Sequence, residues 1–255
     1  MKKIVALLFT FSCGIAYAQY TENQILKATQ QVVDEEVKFA EVKGEKEKIL
    51  RDFLNKVMLS KRAITESTKL VNQFKTKDND KIFEAGFQLM MIERDKSMNF
   101  LSFNESYQIM NSNIDILNKM NNFECSQYIK RKSTEEQGKG RTLFAIAGTL
   151  DLDKFKNYIN LYSIAHEKMV NGKLSQDELK ENDLLNIKND YRQSFIKLID
   201  ENKKVGEFVK SRKSFNEISE AEVCLIGKEI MGLIVKGDIK LAGMRSKAYA
   251  TGKLN

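Results

Sequence analysis

Residues 21–40, TENQILKATQQVVDEEVKFA, and 45–74, EKEKILRDFLNKVMLSKRAITESTKLVNQF, decide the fold class. Among their apolar positions are Ile25, Leu26, Val32, Val33, Val37 and Ala40, then Leu50, Phe53, Leu54, Val57, Ile64, Val71 and Phe74. This spacing returns side chains to one face of a helix and does not alternate as a strand would. Thr21 with Gln24 matches a capping box, in which each side chain bonds the other's free backbone N–H, and Gly44 marks a break. Leu50, Val57, Ile64 and Val71 form a heptad row, but Lys61 and Thr68 stand where a second apolar row is needed. The pattern therefore predicts an antiparallel bundle helix and not an extended coiled coil.

Outward from this stretch the helical period continues. Lys75–Asp80 reads as a polar turn, followed by a stripe of Phe83, Phe87, Met90, Met91, Met98 and Leu101. Asn104 is read as the N-cap of a helix bearing Tyr107, Met110, Ile114, Leu117 and Met120. Asp151 and Asp153 open a helix with Phe155, Ile159, Tyr162, His166 and Met169 on one face, ended by Gly172. Ser175 with Glu178 and Ser219 with Glu222 are further capping boxes. The first precedes a helix with Leu184, Ile187, Tyr191, Phe195, Leu198, Val205 and Val209, the second one with Val223, Ile226, Ile230, Leu233, Leu241 and Met244. Only Thr142–Thr149 reads as a strand, and equally as a short buried helix. The chain contains no proline, which inside a helix costs ~3 kcal/mol. The expected class is all-α: an antiparallel multi-helix bundle or helical array, with two subdomains allowed.

Residues 1–18 read as a cleavable export signal: Met1-Lys2-Lys3, an apolar run from Ile4 to Ile15, then Ala16-Tyr17-Ala18. The run is short of the roughly 20 residues that span a bilayer. Cleavage is expected after Ala18, with Cys13 as a lipid-modified residue the lesser alternative, and the periplasm is the expected compartment, the extracellular medium the alternative. Without Lys2 and Lys3, 40 of the 42 basic residues face 35 acidic ones, a net charge of +5. That excess is spread along the chain, which argues against a nucleic-acid interface. The organisation read from the sequence is an N-terminal helical region over 19–129, a linker over 130–140 (KRKSTEEQGKG, without an apolar side chain) and a C-terminal helical region over 141–255.

Cys125 and Cys224 are the two cysteines outside the signal and form a candidate disulfide. His166, the single histidine, begins an H-E-x-x-H pattern with Glu167, but Val170 stands where the second histidine belongs, so no zinc site is read here. It is expected to be a packed interior or interface histidine. Asp151-Leu152-Asp153 lacks ligands at Phe155 and Tyr162 and a glycine at Lys156, which excludes an EF-hand loop. Gly138–Thr142 lacks phosphate-loop spacing. Ser194-Phe195-Ile196-Lys197 has the S-x-x-K form without its companion elements. No catalytic, metal or cofactor residue is assigned, and no cofactor is expected.

Lys130, Arg131, Lys132, Lys139 and Arg141 form a basic cluster and a candidate interaction patch. Met90, Met91, Met98, Met110 and Met120 are read first as core filling and second as an adaptable surface. The expectation is an exported, non-enzymatic helical binding protein, acting on a protein partner as an inhibitor or immunity protein for a toxin or envelope enzyme. The alternatives are a structural or chaperone component of an envelope assembly or secretion system, and a hydrolase working through two carboxylates.

Overall fold

The computed structural model of the chain describes residues 20–73, 96–132, 134, 139–172 and 177–254. Among them are eleven α-helices and one 3-10 turn, and no strand. The protein is an all-α helical array. Residues 1–18, the stripe from Phe83 to Met91 and the Ser175 cap lie outside the described residues.

The chain divides into two compact units, the first ending at Arg94 and the second beginning at Asp95. In the first, α1 (Glu22–Phe39), α2 (Glu45–Met58) and α3 (Lys61–Gln73) pack on one another. Thr21 and Gln24 form the capping box that their spacing implies. Ile25, Val33, Val37, Leu50, Leu54 and Ile64 are buried. Asn72 clamps the residue before α1, accepting from Tyr20 N at 2.8 Å and donating to Tyr20 O at 3.1 Å. The heptad row does not run through one helix: the chain breaks at Leu59 and Ser60, where the Ser60 hydroxyl accepts from Ala63 N at 3.2 Å.

The second unit holds α4 (Phe103–Leu117), α5 (Asn122–Ile129), α6 (Leu143–Gly148), α7 (Leu152–Val170), α8 (Glu181–Glu201), α9 (Lys203–Ser211), α10 (Glu220–Val235) and α11 (Ile239–Ala250). Thr142–Thr149 is thus the helical alternative, with Thr142 as its N-cap. Asp151 caps α7 and Ser219 with Glu222 caps α10, as their positions imply. Asn104 is not a cap. Ser102 caps α4 together with Glu105, because the S-x-x-E pair satisfies two free N–H groups where Asn104 alone would satisfy one.

The centre of this unit is α11, in which every residue from Ala242 to Ala248 is buried. It crosses α4 at backbone contact. A Cβ on Gly243 would lie 2.0 Å from the Phe103 carbonyl oxygen, so only glycine permits this approach. Met98, Leu101 and Ile109 form a core cluster with Leu161 and Ala165 of α7. α10 packs on α5, and Cys125 and Cys224 join them, their Cα atoms 5.3 Å apart.

Of residues 130–140, those described (130–132, 134, 139 and 140) belong to the second unit, and Thr134 and Gly140 lie close together there. Thr134 Oγ1 donates to Arg141 O at 2.8 Å, and Gly140, at φ +80°, sits where a Cβ would be 2.2 Å from Thr134 O. Arg141 then closes the segment onto Glu124.

Candidate functional site

Glu124 is fully buried and accepts four hydrogen bonds. Oε1 takes Arg141 N at 3.0 Å and Nε at 2.8 Å, while Oε2 takes Asn121 N at 3.0 Å and Arg141 Nη2 at 2.8 Å. Burial alone would push this carboxyl upward. The Arg141 fork and the Asn121 cap outweigh burial and hold it below the usual carboxylate range, while Arg141 is pushed up in return. Arg141 thus leaves the basic cluster of 130–141 to serve as an internal anchor. The structure does not gather the other members around one ligand position: Lys130 is the C-cap of α5, Arg131 takes the left-handed conformation, and Lys132 and Lys139 are exposed.

Buried cations on α11 serve the same structural end. Lys247 Nζ donates to Leu101 O at 2.8 Å and Asp177 O at 2.7 Å, and Asp177 Oδ2 accepts from Phe103 N at 2.9 Å. Burial pushes Lys247 down, against the opposing field of Asp177, Glu178 and Glu105. Arg245 pairs with Asp190 at 3.2 Å and donates to Lys236 O. Tyr191, beside Arg245 and Tyr249, is pushed up to about 12, first by burial and then by Tyr249. His166 is half-buried on α7.

Two surfaces of the second unit stand out among the described residues. The first is the outward side of α8 and α9. Of the 21 residues of α8 only Ile187 is buried. Leu185 is 60% and Ile196 44% exposed, and Val209 of α9 is also exposed. On α8, Leu185, Lys188, Arg192 and Ile196 succeed one another at intervals of three and four, an apolar and cationic row on one face. Lys203, Lys204, Lys210, Arg212 and Lys213 along α9 and its exit are all exposed, with Lys203 paired to Glu207 at 3.8 Å.

The second is a cleft of about 190 Å³ between α4 and α7, lined by Tyr107, Gln108, Asn111, Ser112 and Asp115 on α4, Leu150, and Lys154 and Asn157 on α7. The α4 residues share a face because they recur at the helical period. The two helices run antiparallel, joined by Lys168–Glu105 at 2.7 Å, Tyr162 Oη donating to Asn113 Oδ1 at 3.0 Å, and Lys154–Asp115 at 3.1 Å. Glu105 is raised by burial but lowered further by Lys168 and Ser102, for a net downward shift. Sequence reasoning took Tyr107 for a core position and passed over the polar row beside it. The regular return of Tyr107, Asn111 and Asp115 was the available signal.

Among the described residues no helix is long and apolar enough to cross a membrane, and no group of three or more His, Cys, Asp or Glu is placed to hold a metal ion. No protein-family model, curated protein or solved structure matches the chain.

Proposed function

We propose that the protein is exported and works without catalysis, binding a protein partner through the α8–α9 face as an inhibitor or immunity protein would. The observation that carries this reading is the α8 row, where Leu185 and Ile196 remain exposed on a 21-residue helix with one buried residue. Burying either on a partner contributes roughly 1–2 kcal/mol, and the two share one face of α8 three turns apart, so a single partner surface can cover both. Arg192, exposed between Leu185 and Ile196, favours a partner that presents a carboxylate next to its own apolar groups. The signal-like residues 1–18 support export, and the Cys125–Cys224 pair is compatible with it.

Four of the described carboxyl groups are engaged in ways that do not suit a hydrolase acid. A glycosidase-type acid is raised by its surroundings. Glu105, Glu124, Glu217 and Glu222 are instead lowered, and each is engaged by a cap or an ion pair. The test is affinity capture from native cells with the tagged protein beside its Leu185→Glu/Ile196→Glu variant. One stoichiometric partner, recovered by the parent and lost by the variant, is expected. A partner retained by the variant overturns the assignment of the face, and a multi-component complex transfers the reading to envelope assembly.

A further inference from the structure

The α4–α7 cleft has the chemistry of a binding site for a neutral, hydroxyl-rich ring. Ser112 is the telling residue. It is only 7% exposed, it lines the cleft, and its hydroxyl makes no hydrogen bond to the described protein, although a Ser in a helix readily bonds back to the preceding turn. Ser246 does so, to Ala242 O at 2.8 Å. Around Ser112 the amides of Gln108, Asn111 and Asn157 and the Tyr107 hydroxyl likewise have no partner among the described residues. Each amide offers both a donor and an acceptor, and each hydroxyl offers both. This inventory matches a ligand whose own groups are donor and acceptor at once.

Charge narrows the class further. The two ions at the cleft, Asp115 and Lys154, neutralise one another at 3.1 Å, so the cleft presents no net charge to favour an anion or a cation. The Tyr107 ring and Leu150 supply apolar wall for a ring's C–H face. A volume of about 190 Å³ is below the ~300 Å³ at which drug-sized pockets begin. That is room for one ring and not for an oligosaccharide.

We infer that the cleft between α4 and α7 binds a single pyranose of a neutral saccharide, held by Ser112, Asn111, Asn157 and Gln108. The site is separate from the α8 row, and either can fail without the other. The test titrates the mature protein with the methyl glycosides of glucose, galactose, mannose and N-acetylglucosamine, followed by saturation-transfer NMR and calorimetry. At least one glycoside is expected to saturate in the millimolar range. Ser112→Ala and Asn111→Ala/Asn157→Ala should each weaken it by roughly two- to tenfold per hydrogen bond removed, with unchanged melting curves. Equal affinity for the matching disaccharide assigns a free monosaccharide, and tighter binding assigns the end of a glycan. Absence of saturable binding by all four glycosides overturns the inference, as does binding that both variants retain in full.

Discussion

Replacing Glu124 by glutamine tests whether one buried carboxylate organises the chain from Lys119 to Thr142. Glutamine keeps a single acceptor oxygen and turns an NH2 group toward donors. If that oxygen stays with Arg141 N and Nε, the Asn121 N–H and Arg141 Nη2 lose their acceptor. A hydrogen bond to a charged group contributes ~1.5–3 kcal/mol. Arg141 is partly exposed and regains some hydration, so the expected net loss is about 3 kcal/mol, the lower end of what breaking a buried pair costs. At ~2–4 °C per kcal/mol for a unit of this size, Tm falls by roughly 6–12 °C. The assay is urea and thermal melting by far-UV circular dichroism. Its pH dependence has a definite sign: because the folded carboxyl lies below its unfolded value, its stabilisation is present above the ordinary ~4.3 and is lost as pH falls through the folded value. The gap between parent and variant should therefore close in acid. A loss under about 1 kcal/mol, or no coupling with Arg141→Gln in a double-mutant cycle, would refute the anchoring role.

Reducing Cys125–Cys224, which closes a span of 99 residues, should cost up to about 4.7 kcal/mol on the chain-entropy account; thiol titration of the denatured, unreduced protein produced without residues 1–18, and so without Cys13, should find no free thiol. Gly243→Ala should destabilise by at least ~1–3 kcal/mol, because the new Cβ meets the Phe103 carbonyl and forces α4 and α11 apart. Gly232→Ala, with open space around it on α10, should instead stabilise by roughly 0.5–1 kcal/mol, and equal effects in urea melts would contradict the close crossing. Tyr191 should ionise only near pH 12 in ultraviolet difference titration. Its folded value lies above its unfolded one, so stability is intact below pH ~10 and falls between ~10 and 12; Tyr191→Phe should remove that slope.

The helical class and several caps were legible because they are local. Thr21 with Gln24, Asp151, and Ser219 with Glu222 act across three residues, and the backbone obeys them. The breaks at Ser60, Asn202 and Gly237–Asp238 were hidden, because apolar spacing continues across each while the chain turns. The Asn121–Glu124 box escaped notice for a different reason: Glu124 also recruits Arg141 from 17 positions away, and such a partner has no period. Lys247 and Arg245 gave no sequence signal either, since only the packed neighbours of α11 show that these cations point at carbonyls and Asp190. The cleft residues were half legible, as polar positions on a helix whose opposite side is core.

The binding role is tested most directly by placing a photo-crosslinking residue at Leu185, at Ile196 and, as a control on exposed α7, at Lys156 in the protein expressed in its native cells. The account predicts that Leu185 and Ile196 capture the same protein and that Lys156 does not. Capture of nothing at the two α8 positions, or of the same products at all three, would contradict it.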